Sequence, residues 1–242
     1  LIFNIIELDR QHHNQFLFHC SAVSKNGNSI LLIGPSYAGK TTVALDLCRH
    51  HSFELVCNDQ AVLTLLNEHP TVIFGDKSFN FKYSSLNQYS KKLGEQVFGE
   101  VNYSTLYRNE LKKRVLPETV NVVVNSSELV PVIGIVFLDL GSNTSDSRYE
   151  ATLSTHELNI HYLAKLYIEL TYSLAGLNIV PFDHHHLDLV DSYIPSLDTP
   201  LAQKHRRYLL KCFSRNCKFI TCRYSLEDTI SSIISFAQHN IV

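Results

Sequence analysis

Hydrophobic and polar positions along this chain alternate in short blocks, and few stretches carry a helical period. Phe16-Leu-Phe-His-Cys20 and Ser29-Ile-Leu-Leu-Ile33 are apolar, β-prone runs. Lys25-Asn-Gly-Asn28 lies between them, and its central Asn-Gly favours a tight hairpin turn. The first 33 residues read as extended throughout. From Thr42 to His51 the spacing turns helical, with Val43, Leu45, Leu47 and Cys48 available for burial. Two further strands are predicted at Phe53–Cys57 and Ala61–Leu66. Thr71–Phe74 and Ser78–Lys82 read as a β pair around Gly75-Asp76.

Residues 83–118 are polar, rich in Tyr, Ser, Asn and Lys, and have no strong period. They read as an excursion of short helices and loops. Val120–Val124 and Val132–Leu138 are predicted strands, and Gly141–Ser147 a polar loop. A helix is expected from about His156 to Ala175, capped by Ser154 or Thr155. Residues 181–200 hold three prolines and read as loop. Leu201–Ser214 is predicted helical, Phe219–Arg223 a strand, and Ser225 begins a final amphipathic helix. The class is therefore α/β, with more strand than a plain Rossmann-like domain carries.

Composition sets limits. The chain has 242 residues, 45% of them hydrophobic, enough for one large domain or one and a half. With 21 basic and 23 acidic side chains, the net charge is −2. No basic field supports general nucleic-acid binding. No apolar run approaches the ~18 residues of a membrane span. No signal peptide is visible, because Asn4, Glu7, Asp9 and Arg10 come early. The six cysteines, several of them in apolar segments, fit a reduced, cytoplasmic protein. Cys212, Cys217 and Cys222 lack zinc-site spacing.

The strongest chemical signal is Gly34-Pro35-Ser36-Tyr37-Ala38-Gly39-Lys40-Thr41, followed by Thr42. Its fixed positions match the phosphate-binding pattern G-x4-G-K-[ST], with a strand before and a helix after. Backbone N–H groups of such a loop turn inward around phosphate oxygens. Lys40 supplies charge to the β and γ phosphates. The Thr41 hydroxyl is placed to ligate Mg²⁺, and the helix N-terminus adds partial positive charge. The expected ligands are ATP (or GTP) and Mg²⁺.

The flanks are more specific than the loop. His19 stands 15 positions before Gly34, and Asn58-Asp59 follows Lys40 by 18 and 19 positions. From Phe18 to Leu63 the chain resembles the HPr kinase/phosphorylase family and its PEP-carboxykinase-like relatives. In these a His-containing strand precedes the phosphate loop and an Asp-Asp pair follows it. The stretch from Phe219 to Phe236 resembles the closing strand and helix of that family.

The resemblance implies an HPr kinase/PEP carboxykinase-like P-loop domain with a mixed, strand-rich sheet. It would span residues 1–242 as one domain, with 83–118 as an excursion. It implies a kinase that transfers the γ-phosphate to a hydroxyl of a peptide or small molecule. Lys40 and Thr41 take the phosphate and metal roles, and Asp59 matches the metal-holding second aspartate. His19 matches the histidine near the reacting phosphate. Asn58 stands where the family carries its general base. An amide accepts no proton usefully, so His19 or Asp59 would have to serve. A second reading follows from that departure: a nucleotide-binding regulatory or accessory protein with little turnover. HPr kinases assemble into hexamers, and a homo-oligomer stays open here.

Three rival features stand beside these. Asp139 ends the apolar strand Val132–Leu138, as the metal-holding aspartate does in ordinary P-loop ATPases, and equally as any buried strand ends at the surface. Asp183-His184-His185-His186-Leu187-Asp188 contains metal-ligating residue types but reads as solvated loop. Lys112-Lys113-Arg114 is either a solvated face or a contact for an acidic substrate or phosphate.

Overall fold

The computed structural model describes residues 2–99, 111–138, 155–172, 174, 197–222 and 225–240. The chain is a mixed α/β protein built on a strand-rich sheet. It begins with helix α1 (Ile2–His12), then β1 (Gln15–Phe18), β2 (Cys20–Lys25) and β3 (Asn28–Ile33). Helix α2 (Lys40–His50) is followed by β4 (Glu54–Cys57), β5 (Ala61–Leu66), β6 (His69–Gly75) and β7 (Phe79–Lys82). Two short helices, α3 (Tyr83–Tyr89) and α4 (Lys91–Phe98), lead towards β8 (Lys112–Val115). Then come β9 (Val130–Leu138), α5 (Thr155–Tyr172), α6 (Pro200–Asn216), β10 (Lys218–Cys222) and α7 (Leu226–Asn240).

In the main sheet the order is β1-β5-β6-β9-β3-β2-β4. β9 is the junction. It pairs parallel with β3, antiparallel with β6 at Val130 and Pro131, and parallel with β10 from Gly134 onward. β3 is buried on both faces, which is why it reads as an unbroken apolar run. Alternation divides its side chains. Ile30 and Leu32 enter a core shared with Val43, Leu47 and Ile233, while Leu31 and Ile33 enter a second core with Leu166, Leu209 and Phe213. Helices α2 and α7 thus cover one face of the sheet, and α5 and α6 the other.

Most of the predicted elements are present. The hairpin at Lys25–Asn28 forms with Asn26 and Gly27 at φ 50° and 78°, the signs a type I′ turn requires. α6 starts at Pro200, one residue before the expected start. Thr199 caps it by accepting from the Ala202 amide at 3.2 Å, and proline suits the first helical turn. Among the described residues no helix is long and apolar enough to cross a membrane. All six cysteines are buried and free, and burial pushes the thiols of Cys48 and Cys217 up to about 12. The predicted loop Gly141–Ser147 and residues 181–196 of the predicted loop 181–200 lie outside the described residues; 197–199 are non-helical chain and Pro200 already opens a helix.

Three expectations are corrected. Residues 2–12 are a helix, not extended chain. Its inward residues are Glu7 and Gln11, whereas Ile2, Phe3, Ile5 and Ile6 are exposed, so the apolar pattern marks the wrong face. Ser78–Lys82 does not pair with Thr71–Phe74. β6 pairs with β5 and β9, and β7 forms a separate two-stranded ribbon with β8. Val120–Val124 is not a full strand: a 3₁₀ turn occupies Pro117–Val120, and only Val124 forms a bridge, to Leu55.

A polar network docks α1. The fully buried Arg206 donates to both carboxylate oxygens of Asp198 at 2.7 Å and to Gln11 Oε1 at 2.7 Å. Gln11 Nε2 in turn donates to Glu7 and to the Leu170 carbonyl. Removing one member of a buried pair leaves the other desolvated without compensation. Arg206→Ala is expected to lower stability by about 3–5 kcal/mol, read by chemical denaturation. A loss under about 1 kcal/mol would mean that this network does not organise α1.

Candidate functional site

The phosphate-loop sequence forms the turn between β3 and α2. β3 ends at Ile33, and Gly34 passes so close to the Leu138 carbonyl of β9 that a Cβ there would collide with it. Gly39 precedes α2 with φ 90°, a left-handed conformation that strains other residues. Between them Pro35, Ser36 and Tyr37 are exposed while Ala38 is buried. Lys40 opens the helix and is 8% exposed. Its ammonium folds back onto its own loop, donating to the Gly34 and Pro35 carbonyls at 2.7 and 3.0 Å. The loop, the Lys40 side chain and the α2 N-terminus thus lie together along one cleft, a grouping that suits phosphate oxygens.

Opposite the loop, the sheet supplies His19 and Asp59. The chains Gln15–Lys25 and Glu54–Leu66 run antiparallel beside each other, with Phe18 opposite Ala61 and Ala22 opposite Cys57. Between those pairs the regular ladder breaks. His19 stands in the gap between β1 and β2. Asn58-Asp59-Gln60 makes a three-residue turn, closed by the Gln60 amide donating to the Asn58 carbonyl at 3.0 Å. Asp59 at its centre has φ 73°, a conformation that Asp tolerates better than most residues. The break turns two side chains outward that a regular ladder would hold in place. His19 Nε2 and Asp59 Oδ1 meet at 3.1 Å, both about half exposed.

The electrostatics of the pair are directional. Partial burial and the nearby Lys40 ammonium hold His19 below the usual histidine range, and Asp59 pulls only partly the other way. His19 is accordingly neutral near pH 7. A carboxylate oxygen only accepts, so Nε2 carries the proton in this contact and Nδ1 keeps the lone pair.

Asn58 goes elsewhere. It is 1% exposed and does not line the cleft. Its carbonyl accepts from Ser21 Oγ at 2.8 Å, and its Nδ2 donates to the Ser78 carbonyl at 3.2 Å. The amide therefore ties β2 to the loop after β6, using both of its polar ends.

His19, Lys40, Thr41, Thr42 and Asp59 line one cleft of about 600 Å³, together with Ser36, Tyr37, Ala38 and Gly39. Its far wall comes from residues that the sequence does not connect with the loop: Asn80, Phe81 and Lys82 of β7, Ser85, Leu86 and Tyr89 of α3, and Lys112, Lys113 and Arg114 of β8. The β7–β8 register across some thirty residues brings them there, and no local pattern announces it. Arg114 pairs with Asp76 at 3.1 Å and donates to Ser78 Oγ at 2.7 Å. Burial works against the Asp76 charge, but the Ser78 hydrogen bonds and Arg114 outweigh it and hold the carboxyl below its usual range.

Among the described residues no three His, Cys, Asp or Glu side chains gather into a metal-binding group. Magnesium commonly takes one or two protein ligands and completes its shell with water and substrate phosphate. The Thr41 hydroxyl and the Asp59 carboxylate, both at the cleft, are oxygen donors of that kind. Asp139 and the run from Asp183 to Asp188 lie outside the described residues.

No protein-family model matches the chain, and no curated protein matches it. Among solved structures it is similar to the HPr(Ser) kinase/phosphatase from Coxiella burnetii, at 14% identity and a TM-score of 0.31 over 50% of this chain. The chain spans 63% of the length of that structure. A likeness of this size carries no argument about activity, so the functional reading rests on the loop and its cleft.

Proposed function

We propose that the chain is an HPr-kinase-like, ATP- or GTP-dependent kinase that phosphorylates a hydroxyl of a peptide or small molecule. One observation carries this reading: the Gly34–Thr42 loop, with the phosphate-binding sequence pattern, faces a histidine paired with a carboxylate across one cleft. The nucleotide phosphates would sit on the loop amides and the α2 N-terminus, with Lys40 leaving its own carbonyls for the β and γ oxygens. Thr41 and Asp59 would hold Mg²⁺, which offsets phosphate charge when bound. The acceptor oxygen forms a bond to the γ phosphorus, and the bond from that phosphorus to the β–γ bridging oxygen breaks, releasing the nucleoside diphosphate. The hydroxyl proton passes to His19 Nδ1. Phosphoryl transfer depends mainly on positioning and charge stabilisation, so a histidine of modest basicity suffices.

A second reading, a nucleotide-binding accessory protein with little turnover, is favoured by the closed hydrogen bonding of Asn58. That residue supplies no base where the resembling family has one.

Acceptor-stimulated ADP release, measured with Mg²⁺-ATP and a panel of serine, homoserine, short serine peptides and sugars, separates the two. The kinase reading expects stimulation by at least one acceptor and a loss of about 10²–10³-fold in Lys40→Ala. Tight nucleotide binding with no release for any acceptor sinks it in favour of the second reading.

His19 can be followed by NMR titration. Its midpoint should lie below the ordinary value of about 6.5. Lys40→Ala should move it up, because a repelling cation is gone, and Asp59→Asn should move it further down. The opposite sign in either variant would refute the electrostatic assignment.

Asn58→Asp should not create an active base. A carboxylate cannot donate to the Ser78 carbonyl, so the variant is expected to lose about 1–3 kcal/mol of stability with no gain in turnover. A faster enzyme of unchanged stability would contradict this placement.

A further inference from the structure

The sequence run Lys112-Lys113-Arg114 is not one functional unit, because strand alternation sorts it. In the β7–β8 ribbon Lys82 stands opposite Lys112, Phe81 opposite Lys113, Asn80 opposite Arg114 and Phe79 opposite Val115. Phe79, Phe81 and Val115 are buried in the core beneath. Lys113 also sends its ammonium that way, to the Val97 carbonyl at 2.6 Å. Arg114 is held at the rim by Asp76 and Ser78. Lys82 and Lys112 remain side by side on the cleft face, from strands some thirty residues apart in sequence.

Both lysines line the cleft of the Gly34–Thr42 loop without being part of it, and Lys82 touches that loop. Lys82 Nζ lies 2.8 Å from the hydroxyl of Tyr37, at the loop tip, and 4.5 Å from its ring centroid. The Lys112 side chain makes no hydrogen bond or ion pair among the described residues, while its backbone lies in the β7–β8 ladder. Like charges directly opposite on an antiparallel pair repel, and an anion between them relieves that repulsion. Among the described residues, the cations facing the cleft and not turned to the core or paired with Asp76 are Lys40, Lys82 and Lys112, and the lining carries one carboxylate, Asp59. One cation and a helix N-terminus already serve the loop, so the opposite wall has positive charge for a second anionic group.

We infer that the β7–β8 ribbon is the acceptor-binding wall, and that Lys82 and Lys112 select an acceptor carrying a carboxylate or phosphate group close to the hydroxyl it presents. This rests on the nucleotide-binding reading above and gives its acceptor a charge class. Acceptor and nucleotide are held on opposite walls by separate cations. Recognition of the acceptor weakens with ionic strength, because Lys112 is exposed.

The test is calorimetric, on the full chain saturated with Mg²⁺ and a non-hydrolysable ATP analogue. A serine peptide flanked by Asp is titrated beside its Asn-flanked twin, and glycerol 3-phosphate beside glycerol. The first titration, of the analogue itself, tests the underlying reading independently: no binding there sinks both. With the nucleotide bound, at least one anionic probe should bind about tenfold tighter than its neutral twin, the scale of a charge-assisted contact. Preference for the acidic peptide alone assigns a carboxylate, and for glycerol 3-phosphate alone a phosphate. Lys112→Glu should erase the preference and Lys112→Gln reduce it, while analogue affinity changes by less than about threefold. The inference is overturned if charged and neutral twins bind equally or not at all. It is also overturned if Lys112→Glu weakens the nucleotide as much as Lys40→Ala does, since the ribbon would then serve the nucleotide.

Discussion

The parallel pairing of β3 with β9 is the constraint from which the rest of the molecule follows. β9 contacts three other strands, and its pairing aligns Ile33 with Phe137 at the strand ends. The next residue on each chain then comes together, Gly34 against the Leu138 carbonyl. The Gly34–Thr42 loop is thus anchored by backbone contact at the centre of the sheet, where both faces are covered and movement would disturb two cores at once. A loop so placed loses its conformational entropy on folding.

A second constraint is the break in the antiparallel pair that carries His19 and Asp59. An unbroken ladder would commit its residues to alternating burial. The left-handed turn at Asp59 and the gap at His19 release two polar side chains at a sheet otherwise rich in apolar ones. Asn58 makes the break tolerable by satisfying Ser21 Oγ and the Ser78 carbonyl in the interior. Asn58 therefore acts here as scaffolding for the break that exposes His19 and Asp59.

Much of this was legible in the sequence. β3, α2 and β9 have unambiguous patterns, and the loop motif located the cleft. His19, Lys40 and Asp59 do come together. What stayed hidden involves pairing over distance or inverted polarity. β8 is Lys-Lys-Arg-Val, which no apolar alternation would nominate as a strand. β7 looked ready to pair with its neighbour β6, but the partner that formed lies beyond two helices. α1 hides because hydrogen bonds from Gln11 and Arg206 dock it, while its apolar residues face outward. Asn58 does follow the end of the predicted strand Phe53–Cys57, yet the direction of a side chain at a turn depends on backbone angles that residue type alone does not fix.

The ribbon couples two properties that usually vary independently. Its two faces are read out by a single frame: whichever residues bury Phe79, Phe81 and Val115 also dictate which cations look into the cleft. A slip of one position would exchange the faces wholesale, presenting aromatic rings where charge now stands. The packing of three apolar side chains therefore acts as the proofreader of the cleft's charge pattern. Variation among surface lysines leaves the frame intact, whereas a polar residue at Phe79 or Phe81 alters the frame itself.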